Sequence, residues 1–169
     1  MKGAIFFATK YGSTAQYAAW IAEATGLPAF DVRDATADPA DYDFLVIGTP
    51  VIYFKLAIRK WVDRHWSDIA GKSTILFTVS GAPGGGRLDA WVGNSLPKAF
   101  VDTTRHVALR GRQVPGDLSW FDWIMLRIGA MMNPDPVARR EELKGFDFMD
   151  PAGIAPVVER IREIQAVSG

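Results

Sequence analysis

The sequence contains no cysteine. That excludes disulfides, thiolate metal sites, cysteine-ligated iron–sulfur clusters and a cysteine nucleophile. Histidine is scarce: His65 and His106 are the only two, both read as structural or exposed, and no metal is expected. Neither sign of charge prevails, with 19 basic and 19 acidic residues. No basic stripe interleaved with aromatics is present, so nucleic acid is not an expected partner. No apolar run reaches the length of a membrane span. The chain enters its core pattern by residue 3, so a signal peptide is not expected and a cytoplasmic location is the default. Two phosphate motifs are missing as well. There is no Gly-x-x-x-x-Gly-Lys-Ser/Thr string, and no Gly-x-Gly-x-x-Gly between the first strand and the first helix.

What is present is a globular composition, 49% hydrophobic and 22% charged over 169 residues. That length suits one compact domain with a real core, expected to span 1–169 with an insertion at 110–150. Five short apolar runs read as strands: Gly3 to Ala8, Pro28 to Val32, Phe44 to Gly48, Ser73 to Val79, and Arg105 to Leu109. The last is the least apolar and the best candidate for an edge. Continuous apolar runs suit strands covered on both faces. Helical spacing lies between them: Ala15, Ala18, Ala19 and Ala22; Leu56, Ile58, Trp61 and Val62; a segment within Leu88 to Phe100 interrupted by Gly93, Asn94 and Pro97; and a last helix after Pro151 lined by Ile154, Val157, Val158, Ile161 and Ile164. Alternating strands and helices predict an α/β fold, a parallel sheet with helices on both faces, and ligands bind such sheets beyond the carboxyl ends of the strands.

Three loops fall at that edge. Thr9-Lys10-Tyr11-Gly12-Ser13-Thr14 joins the first strand to the first helix. A helix N-terminus offers unpaired N–H groups and partial positive charge, Gly12 permits close approach of an anion, and Thr9, Ser13 and Thr14 add hydroxyls. An ordinary Ser/Thr-capped turn is the competing reading. Thr49-Pro50-Val51-Ile52-Tyr53-Phe54 follows the third strand and offers two adjacent aromatics to a flat ring. Ser80-Gly81-Ala82-Pro83-Gly84-Gly85-Gly86-Arg87 follows the fourth, with backbone accessible enough to hydrogen-bond a ligand edge.

The Thr-x-x-Gly-x-Thr order resembles the FMN phosphate loop of flavodoxin-like proteins, which also often open the loop after the third strand with Thr-Pro. The resemblance implies a three-layer sandwich around a five-stranded parallel sheet of order 2-1-3-4-5. It implies FMN as cofactor, held by residues 9–14, 49–54 and Ser80, Gly81, Ala82, Pro83, Gly84 and Gly85.

A flavodoxin has no need of the forty residues between Leu109 and Pro151. A structureless loop of that length is rare in a compact domain. Its middle, Ser119 to Met132, would be apolar nearly all round as a helix, with Asp122 and Arg127 as the exceptions. Trp120-Phe121-Asp122-Trp123-Ile124-Met125-Leu126, then Val137-Ala138-Arg139-Arg140-Glu141-Glu142 and Phe146-Asp147-Phe148, resemble the insertion of menaquinone-dependent protoporphyrinogen oxidases. That resemblance implies an FMN-dependent oxidoreductase passing electrons from an organic substrate to a quinone. Trp120, Phe121, Trp123 and Arg127 then become candidates for contact with substrate or with the inner face of a membrane, and packing across a homodimer is the alternative. The competing functions are an electron carrier without its own substrate and a flavin-free interaction domain. Flavodoxin carriers are typically strongly acidic, and this neutral chain is not. Because the three loops lie outside the insertion, flavin binding is expected to survive replacement of residues 117–134.

Overall fold

The computed structural model describes residues 1–34 and 36–167, without the side chains of 138 and 141. Strand β1 (Gly3–Phe7) runs into helix α1 (Ser13–Thr25). Then come β2 (Ala29–Asp31), β3 (Phe44–Ile52), β4 (Lys55–Leu56), and the short helices α2 (Arg59–Arg64) and α3 (Trp66–Ile69). The chain continues through β5 (Ser73–Ser80), α4 (Gly86–Ser95), α5 (Lys98–Thr103) and β6 (Arg105–Arg110). The insertion holds β7 (Arg112–Gln113), α6 (Trp120–Met132), α7 (Pro136–Lys144) and β8 (Phe146–Asp147), and α8 (Ala155–Ala166) closes the described chain.

The main sheet has the order β2-β1-β3-β5-β6, all parallel, which is the expected order of the five principal strands. Period-two alternation sends Phe6, Leu45, Ile47 and Leu76 to one face, against Trp61, Val62 and Phe100. Ile5, Val46, Ile75 and Phe77 face the other side, against Tyr17, Ile21, Val157 and Ile161 of α1 and α8. Close packing requires a glycine at 48: a Cβ there would sit 2.2 Å from Phe77 Cζ.

Several sequence expectations need correction. The third strand does not stop at Gly48. It runs on to Ile52, because Thr49 and Pro50 pair with Thr78 and Val79 of β5, and Val51 and Ile52 pair with β4. The two-residue β4 thereby joins the expected five-stranded parallel sheet at the end of β3 as a sixth, antiparallel strand, and β7 and β8 form a separate antiparallel ribbon. Leu56 lies in β4 and Ile58 caps α2, so the expected helical stripe is split between elements. The segment 88–100 is two helices broken at Pro97, which ends one and leads the next. The buried face of α1 is Thr14, Tyr17, Ala18 and Ile21; Ala19 is exposed. The last helix starts at Ala155 after a 3-10 turn at Pro151–Ile154. No described helix is long and apolar enough to cross a membrane.

Candidate functional site

Parallel strands bring the carboxyl ends of β1, β3 and β5 to one edge, and a cavity of about 360 Å³ lies there. Its floor is the first loop. Thr9, Lys10, Tyr11, Ser13 and Thr14 line it, while Gly12 lies behind them. Gly12 caps α1 with φ +90°, a left-handed conformation that an L side chain adopts only with strain, and it provides no side-chain cap. Thr9 Oγ1 accepts from the Gly12 N–H at 3.2 Å. The N-terminus of α1, without a side-chain cap, therefore faces the cavity with unpaired N–H groups of the kind that can hold an anion.

One atom sets this site apart from an ordinary turn. Thr14 is 1% exposed, and its Oγ1 is buried with no hydrogen-bond partner. A buried hydroxyl without a partner costs about 1–3 kcal/mol, and a ligand acceptor reaching it through the cavity would remove that cost. The Ser13 hydroxyl is already engaged. It accepts from Arg112 N at 3.2 Å and donates to Arg112 O at 3.3 Å, joining the floor to β7.

From the second loop, Pro50, Val51, Ile52 and Tyr53 line the cavity. Thr49 does not. It is fully buried, and its Oγ1 accepts from Ile58 N at 3.2 Å to anchor the start of α2. The β3–β4 turn consists of Tyr53 (φ +50°) and Phe54 (φ +64°). Two positive φ values match a two-residue hairpin turn, but in bulky residues each costs about 1–3 kcal/mol. The turn sends the two rings different ways: Tyr53 goes to the cavity, while Phe54, 68% exposed, packs on Trp91 at 5.2 Å. From the third loop only Ser80 and Gly81 reach the cavity; Ala82, Pro83, Gly84 and Gly85 turn away toward α4.

The far wall is the insertion, which the sequence reading set apart from the three loops. Leu118, Asp122, Met125, Leu126, Gly129 and Ala130 line the same cavity as the loops, with Arg112, Asp117, Glu142 and Phe146 beside them. The stripe 122, 125/126, 129/130 is one face of α6 at helical spacing. Asp122, unassigned by the sequence reading, is the hub. Its carboxylate accepts from the hydroxyls of Tyr11 and Tyr53, from Ser119 Oγ at 2.9 Å, and pairs with Lys10 Nζ at 2.5 Å. Burial alone would raise its pKa, but these four donors outweigh that and hold it well below the usual carboxylate range. Burial and the adjacent carboxylate push the Tyr53 phenol up to about 12. Tyr53 is thus a neutral hydroxyl whose proton points at Asp122.

The other face of α6 points outward. Trp120, Phe121, Trp123, Ile128, Met131 and Met132 are all exposed, and Arg127 stacks over the Trp123 ring at 4.7 Å. Tyr17 was also unassigned. Its hydroxyl donates to Arg110 O at 2.7 Å and accepts from Asp150 N at 3.2 Å, fastening both ends of the insertion. The two histidines lie outside the cavity lining. His65 packs on Trp61, and His106 Nε2 sits 2.8 Å from Thr78 Oγ1. Burial lowers the His106 pKa, against the opposing pull of Asp89.

No curated protein matches the sequence. Among solved structures, the Trp repressor binding protein of Bacillus subtilis is similar at TM-score 0.52 and 17% identity, covering 69% of this chain and 88% of that one. A Lactobacillus acidophilus flavoprotein in complex with FMN is similar at TM-score 0.48 and 15% identity, over 64% of this chain and 91% of that one. A Fusobacterium nucleatum flavodoxin bound to flavin mononucleotide gives 0.46 and 17%, over 68% and 72%. The flavodoxin domain model matches residues 4–136, and the chain belongs to that family.

Proposed function

We propose that this protein is an FMN-dependent oxidoreductase. The observation that carries the reading is Thr14 Oγ1, buried without a partner beside an uncapped helix N-terminus in a chain of the flavodoxin domain family. The residues present fit the cofactor. The first turn of α1, Thr9, Lys10 and Thr14 would hold its phosphate, and the neutral Tyr53 with the backbone of Pro50–Ile52 and Ser80–Gly81 would flank its ring. When bound, FMN supplies one- and two-electron redox chemistry. The chain's own part is to position the cofactor and to keep the unloaded cavity dry. Met125, Leu126 and Ala130 place an apolar wall across the cavity, and Asp122 fixes the hydroxyl direction of Tyr11 and Tyr53.

The finer part of the reading names an organic donor and a quinone acceptor, as in menaquinone-dependent protoporphyrinogen oxidases. It is supported by the aromatic–Asp–aromatic string 120–123 and by the outward apolar face of α6, which suits a lipophilic partner at a membrane interface, where Trp is favoured. FMN titration into purified protein tests the cofactor: saturable quenching of flavin fluorescence is expected, and its absence ends the proposal. FMN-loaded protein should then oxidise a porphyrinogen with a menaquinone analogue. Reduction of the flavin by small one-electron donors alone would leave only the electron-carrier function standing.

A further inference from the structure

In the structure, an acidic side chain of the insertion already sits at the anion loop. Resting on the FMN reading, we infer that Asp122 is the catch of a cover: α6 stays shut over the phosphate loop while Asp122 holds Lys10, and a phosphate monoester that takes Lys10 releases the helix. Three observations carry this. First, three of the four donors to Asp122 belong to the site loops, namely Lys10, Tyr11 and Tyr53, and only Ser119 belongs to the insertion. At the same end of α6 the Ser119 N–H donates to the Tyr11 hydroxyl at 3.1 Å and Phe121 meets the Tyr53 ring at 6.2 Å, so Asp122 is the charged member of this cluster. Second, α6 packs chiefly on α7, and α7 returns to the body through the two-residue ribbon β7–β8. The pair can swing on that ribbon once the catch opens.

Third, charge sets the direction. Lys10 and Arg112 face Asp117, Asp122 and Glu142 across one cavity, so two cations meet three carboxylates before any anionic ligand arrives. A phosphate at the α1 N-terminus and the Asp122 carboxylate compete for the same ammonium. If Lys10 turns to the phosphate, Asp122 keeps its hydroxyl donors but loses its counter-charge, at 8% exposure and beside a second anion. That arrangement favours moving the carboxylate out to water. The outward face with Trp120 and Trp123 moves with it, so cofactor loading governs how the partner surface is presented.

Amide hydrogen exchange across residues 120–132 of the full chain tests the catch, with FMN, riboflavin and inorganic phosphate as separate ligands. FMN and phosphate should speed exchange in α6, and riboflavin, which lacks the phosphate, should not. Asp122→Asn should exchange fast without ligand and bind FMN about tenfold faster, because a like charge is gone. Slowing of α6 by FMN and riboflavin alike, or equal weakening of both flavins in Asp122→Asn, makes the carboxylate a fixed brace and overturns the catch. The wild-type exchange arms decide the matter even if the variant folds poorly. FMN that binds without any change in α6 sinks the catch alone. Phosphate that opens α6 when FMN does not bind sinks the cofactor reading alone.

Discussion

Replacing Thr14 by valine separates the two states of the site, because the same hydroxyl is a liability in one and an asset in the other. In the cofactor-free chain, Oγ1 is buried and unpaired. Valine keeps the shape and removes the stranded polar atom, and the two residues have similar helix propensity. Relief of even part of the roughly 1–3 kcal/mol penalty should stabilise the empty protein. A gain of about 1 kcal/mol raises Tm by about 2–4 °C at this chain length. With FMN present the sign reverses. A hydrogen bond to a charged group is worth about 1.5–3 kcal/mol, and losing it weakens binding about 10- to 100-fold. Thermal melts of the empty protein and flavin fluorescence titration measure the two arms. A loss of stability in the empty variant would show that Thr14 is satisfied internally. Unchanged FMN affinity would show that the phosphate lies elsewhere.

Three other outcomes follow from particular contacts. His106 has a folded pKa below its ordinary 6.5, so the unfolded chain takes up the proton first; stability should fall as pH drops through 6.5 and level off below the folded pKa, and His106→Gln should flatten that slope in pH-dependent denaturation. Gly48→Ala would put a Cβ 2.2 Å from Phe77 Cζ and should cost about 1–3 kcal/mol or more of stability, whereas Gly81→Ala, 2.5 Å from the cavity-lining Phe146, should lower FMN affinity with a smaller change in Tm. Replacing residues 117–134 with a Gly/Ser linker should weaken riboflavin about tenfold or more in a titration, since one wall of the cavity goes with them; full retention of riboflavin affinity would return α6 to a peripheral role.

The central strands β1, β3 and β5 were legible because each is a short apolar run buried on both faces, whereas the edge strands β2 and β6 are only half-buried and were read from their place in the alternation of strand and helix. The first loop was legible for a related reason: strand, glycine and helix are contiguous, so one local string carries the geometry. The β3–β4 hairpin was not. Its turn is Tyr53-Phe54, and no Asn-Gly or Asp-Gly signals the positive φ values it adopts. That hidden turn is also why Thr49 reads as a site residue and proves to be core. Asp122 left a signal, the lone acid near the start of an apolar helix, yet its partners Tyr11 and Tyr53 stand 111 and 69 positions away. Spacing within the insertion cannot reveal a bond of that kind. The helix that looked apolar all round is divided instead between a cavity face and an outward face.

The anchor points of the insertion on α1 and its loop explain why this division matters. Lys10 and Tyr11 hold Asp122, Ser13 holds the backbone of Arg112, and Tyr17 holds Arg110 and Asp150. These attachments lie within eight consecutive positions, and Thr14, the free hydroxyl, lies among them. The segment that would hold the phosphate is therefore the segment that seats the insertion. An anion that reorganises residues 10–14 acts directly on the base of α6, with no relay through the sheet. Coupling between two sites is reciprocal in free energy. A lipophilic partner of the kind proposed, docked on Trp120, Trp123 and Met131, would then alter affinity for the anion by the same factor by which the anion alters affinity for the partner.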